Sequence, residues 1–122
     1  MWPEDFPEQC PPADARNDEL HVYRMVKNSP PVKEDFLSTK KEYPHRPFPP
    51  KDECNSCGTS VFLKLEDILK KQKQYEKSLG SKKIAFGRIT EEDGLVLETG
   101  QPTHITWWLQ TDTPHLNFSE VT

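Results

Sequence analysis

Ten of the twelve prolines in this 122-residue chain fall within its first fifty residues. Proline fixes φ and removes a backbone donor, so neither a helix nor a central strand runs far through such a stretch. The asymmetry predicts an N-terminal half that wraps or extends and a C-terminal half that folds compactly. Only 33% of residues are hydrophobic and 30% are charged, which allows one thin core and little room for a second domain.

Residues 1–18 combine Pro, Asp and Glu with few aliphatic side chains and read as a flexible acidic arm. Trp2 and Phe6 are the exceptions, able to dock on a partner or fold back on the domain. Cys10, in the same arm, reads as an incidental thiol. Residues 19–118 form a single small domain and 119–122 a short tail.

Within the domain, ELHVYRMVK (19–27) alternates with apolar residues on both faces, which predicts a central strand with Arg24 standing on one face. In NSPPVKEDFLST, Ser29 is a plausible N-cap and Pro30 and Pro31 suit first helical positions, so a short helix ending near Leu37 is expected. KKEYPHRPFPPK (40–51) has four prolines and no periodicity. It reads as a surface loop pinned by Tyr43 and Phe48. TSVFL (59–63) is a strand. Leu65, Ile68, Leu69, Tyr75 and Leu79 recur at helical spacing with Gly80 placed as a C′ residue, predicting a helix over 66–79. KKIAFGRI, LVLET and THITWWLQ then read as a meander of three strands, with Glu91, Glu92 and Asp93 in a turn ending at Gly94. The fold class is therefore α+β, a small mostly antiparallel sheet with one main helix, plus a proline-rich N-terminal arm and loop.

The charge pattern narrows the functional classes. With 16 basic and 20 acidic residues the net charge is −4, without the concentrated positive face that nucleic acid requires. The lysines of KKQKQYEK (70–77) read as a solvated helix face. No apolar run approaches the ~18 residues of a membrane span. The opening MWPEDFPEQCPP resembles neither a signal nor a transit peptide. Three cysteines, an odd number, argue against a secreted disulfide framework, so a cytoplasmic protein is expected.

Cys54-x-x-Cys57-Gly58 admits three readings. As half of a zinc site it would need two further ligands from His21, His45, His104, His115 or Cys10, with His45 best placed. As a redox pair it lacks the strand ahead and the helix starting at the second cysteine. As a turn closing onto a strand, its cysteines are small apolar fillers, and that reading leads. No cofactor is favoured, and zinc on Cys54, Cys57 and His45 is the alternative.

Arg24, with Ser38 and Thr39, is a candidate grip for an anionic ligand through its planar fork of donors. The competing reading packs its stem and pairs its head with Asp or Glu. In THITWW, His104, Thr106 and Trp108 share one strand face, and Ile105 and Trp107 the other. One indole is expected in the core and one partly exposed as a partner surface. His104 is a candidate base with no nucleophile tied to it by a motif.

HVYRMVKNSPPVKEDFLS, CGTSVFLKLEDILKK, KKIAFGRI and THITWW together resemble a group of small uncharacterised bacterial proteins with a YR strand, a DF segment, an SVF element, an IA strand and a closing H-x-T-x-W. The resemblance covers 20–118 and implies no activity. The order of elements is also similar to ADP-ribosyltransferase-like folds, in which a first-strand Arg or His contacts NAD. The resemblance puts Arg24 at that position, but no E-x-E pair or aromatic NAD clamp accompanies it.

The leading expectation is a small soluble non-enzymatic component that binds a partner protein encoded nearby, of bacterial accessory or defence type, using Arg24, Tyr43, Phe48, Trp107 and Trp108. The alternative is an enzyme handling a nucleotide or NAD through Arg24, with His104 assisting.

Overall fold

The computed structural model describes residues 2–79 and 82–121. Its strands are β1 (Leu20–Val26), β2 (Thr59–Phe62), β3 (Lys83–Ile89), β4 (Gly94–Glu98), β5 (His104–Leu109) and β6 (Phe118–Glu120). They form one antiparallel sheet in the order β4-β5-β2-β1-β3-β6. The main helix, α3, spans Leu65–Leu79. Two single turns, α1 (Thr39–Glu42) and α2 (Glu53–Ser56), stand at the two ends of the proline-rich loop. The architecture is α+β, and β1 is central as its two apolar faces require. Gly80, expected to end the helix, lies outside the described residues.

The expected three-strand meander is corrected by the pairing. β4 and β5 form a hairpin, but β3 lies across the sheet between β1 and β6. Hydrophobic alternation marks a strand without naming its neighbour, and here the partner of β3 is a strand sixty residues back in sequence, with Tyr23 opposite Phe86. The segment after β1 differs too. Val32, not Ser29, precedes the helical turn, which is a 3-10 turn over Lys33–Phe36 held by Asp35 accepting from the Val32 N–H at 2.9 Å.

One face of the sheet carries the larger core. Val22, Val26, Val61, Val96 and Trp107 are essentially inaccessible there. Burying each such side chain contributes about 1.5–3 kcal/mol. Phe36 and Phe118 close this core. The Phe118 ring, on edge strand β6, lies 6.3 Å from that of Trp107 on β5, although three strands intervene in the sheet order. The sheet is therefore strongly curled around this core. Gly87 on β3 sits against Phe118 and the Asn117 carbonyl, where a Cβ would collide.

The opposite face is shared. Over β1, β2 and β3, α3 packs Ile68 and Leu65 against Phe62, Ile84, Tyr23 and Met25. Over β5 the N-terminal arm takes its place. Trp2, Phe6, Cys10 and Ala15 cover Trp108, with Cys54, Cys57 and Leu97 in the same cluster. The arm continues to Arg16, which exchanges two backbone hydrogen bonds with Val96 of β4 at 2.9 and 2.8 Å.

A disulfide fixes this arrangement. Cys10 is joined to Cys54 on α2, with 5.5 Å between their Cα atoms. The reading of Cys10 as an incidental thiol is thus corrected. An odd cysteine count excludes full pairing but not one bridge, and Cys57 is the free cysteine left over. Among the described residues, no helix is long and apolar enough to cross a membrane.

Candidate functional site

The site lies where β1 and β2 part. Among the described residues they meet at one register pair, Tyr23 opposite Phe62. Beside that pair the Arg24 side chain fills the gap. Its Nη1 donates to the Ser60 carbonyl at 2.7 Å and its Nε to the Asp35 carbonyl at 2.8 Å, while Nη2 stands 3.6 Å from the Glu42 carboxylate. Asp35 is held in turn by the Lys27 and Val32 N–H groups. Arg24 is only 5% exposed. Burial lowers its pKa, opposed chiefly by Glu42. The guanidinium is therefore a strut first: its committed donors tie β1 to β2 and to the 33–36 turn.

Around this strut opens a cavity of about 240 Å³. Its floor is Arg24, Met25, Ser60 and Phe62 from the sheet. One wall is Lys71 and Tyr75 from α3, another Glu42, Tyr43 and Arg46 from α1 and the loop after it. Gln101 from the β4–β5 turn and His104 at the start of β5 close it. Helical spacing builds the α3 wall, since Lys71 and Tyr75 lie three and seven residues past the buried Ile68 and so share its side of the helix. Four cationic side chains and one carboxylate line this cavity in a chain of net charge −4. Glu42 is shared between Arg24 and Lys82, 3.4 Å from the Lys82 ammonium. Among the described residues neither Arg46 nor Lys71 has an ion pair. Arg46 lies over the Tyr43 and Phe48 rings, 5.9 and 5.4 Å from their centroids. Burial, and after it the Glu42 charge, raises the Tyr43 pKa, so its hydroxyl stays a donor at neutral pH.

His104 is held in one orientation. Its Nδ1 donates to the Thr99 carbonyl at 2.9 Å, with the Thr99 hydroxyl at 3.2 Å, and the ring meets Phe62 edge-on. Burial lowers its pKa, Lys71 adding to the shift and the Thr99 carbonyl opposing it. The ring is therefore neutral at pH 7, and with Nδ1–H committed, Nε2 is the acceptor left for a ligand.

The structure thus brings Arg24, Tyr43 and His104 together, with Phe48 close by beneath Arg46. It removes Trp107 and Trp108 from any partner surface, for both are buried, at 1% and 0%. Trp107 is in the main core, its Nε1 donating to the Asp93 carbonyl at 3.1 Å. The arm covers Trp108, whose Nε1 donates to the Cys54 carbonyl at 2.9 Å. Strand alternation shows which face an indole takes, but not that residues a hundred positions earlier will cover it. The zinc set of Cys54, Cys57 and His45 is not assembled either. The Cys54 sulfur is bonded to Cys10, burial pushes the Cys57 thiol pKa up, and no group of three or more potential ligands occurs among the described residues. The expected turn closing onto a strand is a helical one: Cys54 lies in α2 with Cys57 as its buried C-cap, directly ahead of β2.

Sequence reading missed Lys71, Arg46 and Lys82. Lys71 carried a usable signal: it shares a helix face with Ile68 and Tyr75, and so stands apart from the solvated lysines around it. Arg46 and Lys82 carried none, because a loop and the start of a strand have no periodicity to aim them.

No family model, curated protein or solved structure matches this chain.

Proposed function

We propose that the chain binds a small organic anion in the cavity between α3 and the parted strands β1 and β2. One observation carries the reading: two cations without ion-pair partners among the described residues, Arg46 and Lys71, face a cavity walled by Tyr43, Phe62 and Tyr75 and held by a neutral His104. Lining cations raise the local concentration of an anion, and aromatic walls exclude water and strengthen each charge. Glu42, already shared between Arg24 and Lys82, offsets part of the positive charge and still leaves the cavity net positive.

This favours the nucleotide-handling alternative over the partner-binding one, with the work divided differently. Arg24 shapes the site, Arg46 and Lys71 grip the anion, and His104 accepts a proton donor of the ligand. The partner-binding reading keeps Tyr43 and Phe48, both in the loop that rims the cavity, so a partner protein would meet the chain there.

Isothermal titration with a panel of inorganic phosphate, AMP and citrate tests the proposal. At least one should bind the wild type, and binding should weaken about tenfold or more in Lys71→Ala with the thermal midpoint unchanged. Absence of binding by all three to the folded chain overturns it.

A further inference from the structure

A second recess of about 250 Å³ adjoins the cationic cavity, and Thr39, Arg46, Ser60, Gly100 and His104 line both. The two differ in chemistry. The cavity holds Lys71, Lys82 and Arg24. The recess adds Asp52, Asn55, Ser56, Thr99 and Thr106, and among the described residues the one cation lining it is the shared Arg46. Resting on the anion-binding reading, we infer that the ligand is a sugar phosphate, its phosphoryl group in the cavity and its hydroxyls in the recess.

The donor and acceptor inventory selects a polyol for the recess. A vicinal diol both donates and accepts at each oxygen, which suits hydroxyls, an amide and a carboxylate and suits clustered ammonium groups poorly. Part of the recess is already ordered. Thr99 and Thr106 share a hydrogen bond of 2.6 Å between hydroxyls, Thr99 also contacts His104 Nδ1, and the Ser56 hydroxyl donates to the Glu53 carbonyl at 2.6 Å. The rest is free for a ligand: the Asn55 amide and the Ser60 hydroxyl make no hydrogen bond to another described residue. Phe48 supplies an apolar surface for the C–H face of the sugar. His104 stands at the junction, where its Nε2 accepts from a hydroxyl adjacent to the phosphoryl group. A second phosphoryl group in the recess would face Asp52, so the ligand is charged at one end.

The two spaces are of similar size and together reach the several hundred Å³ typical of small-molecule sites. Either alone holds only a fragment. The joined site predicts a large gain when phosphate and sugar are linked, because the second group then binds without a separate loss of translational freedom.

Isothermal titration of the intact, oxidised chain with inorganic phosphate, ribose and ribose 5-phosphate tests this inference. Ribose 5-phosphate should bind at least tenfold tighter than phosphate, with ribose alone much the weakest. Asn55→Ala, and separately Asp52→Asn, should erase most of that advantage and leave phosphate affinity unchanged, whereas Lys71→Ala should weaken both phosphorylated probes alike. Equal affinity for phosphate and ribose 5-phosphate, or an advantage that survives both recess variants, overturns the sugar assignment while the anion site stands. Citrate binding without either phosphorylated probe does the same. If no anion binds, both readings fall.

Discussion

Arg24 Nη1 lies 2.7 Å from the carbonyl oxygen of Ser60, so a side chain, not a backbone amide, joins β1 to β2 at this point. The relationship explains why a cavity exists there. Two strands in full register leave no space between them, whereas a guanidinium between parted strands supports an opening and keeps the backbone acceptors satisfied.

Arg24→Ala should therefore destabilise the fold rather than simply weaken a ligand. It strands the Ser60 and Asp35 carbonyls and leaves Glu42 with Lys82 alone, a cost of about 3–5 kcal/mol for breaking a buried charged network. Chemical denaturation measures it. A variant with an unchanged midpoint and lost anion binding would instead make Arg24 a ligand group.

Thiol titration of the denatured, unreduced chain should give one free cysteine, Cys57, and three after reduction. The Cys10–Cys54 bridge closes a sequence separation of 44 residues. Cys10→Ser should lower stability by about 3–4 kcal/mol and expose the arm to proteolysis. A bridge that persists in the native source marks an oxidising compartment, against the cytoplasmic expectation. Three free thiols in the native source would restore that expectation.

His104 should make stability fall as the solution is acidified. Its folded pKa is lowered, so below the ordinary value near 6.5 the unfolded chain takes up a proton before the folded one does. The stabilisation is complete above that value and is lost as pH falls through the folded pKa. Thermal midpoints of wild type and His104→Asn, taken from pH 7.5 to 5, should converge on acidification. Parallel curves would contradict the assignment.

The facing of α3 gives a sharp contrast between adjacent residues. Ile68 is wholly buried and Leu69 is 41% exposed. Ile68→Ala should cost about 2–5 kcal/mol and Leu69→Ala within about 0.5 kcal/mol, as denaturation midpoints would show.

Legibility followed the range of the forces. Five of the six strands and α3 could be placed to within a residue or two, because alternation and helical spacing are local, and the centrality of β1 followed from its two apolar faces; β6, three residues long, falls where a tail was expected. The neighbour of β3, the cover over Trp108 and the Cys10–Cys54 bridge depend on contacts between residues far apart in sequence, for which periodicity carries no term. The site divides the same way. Arg24 and His104 stood out as polar residues on strands of apolar neighbours. Arg46 reached the cavity through a proline-fixed loop whose path no pattern encodes, and Lys71 was hidden among lysines that do face water.

The central claim, an anion held by Lys71 and Arg46 beneath a neutral His104, is tested most directly by two-dimensional NMR of the ¹⁵N-labelled chain titrated in turn with inorganic phosphate, AMP and citrate. Saturable shifts gathered at Ser60, Lys71, Gln101 and His104, and lost in Lys71→Ala, are the expected result. Shifts that do not saturate, or that spread over the exposed lysines of α3, would contradict it.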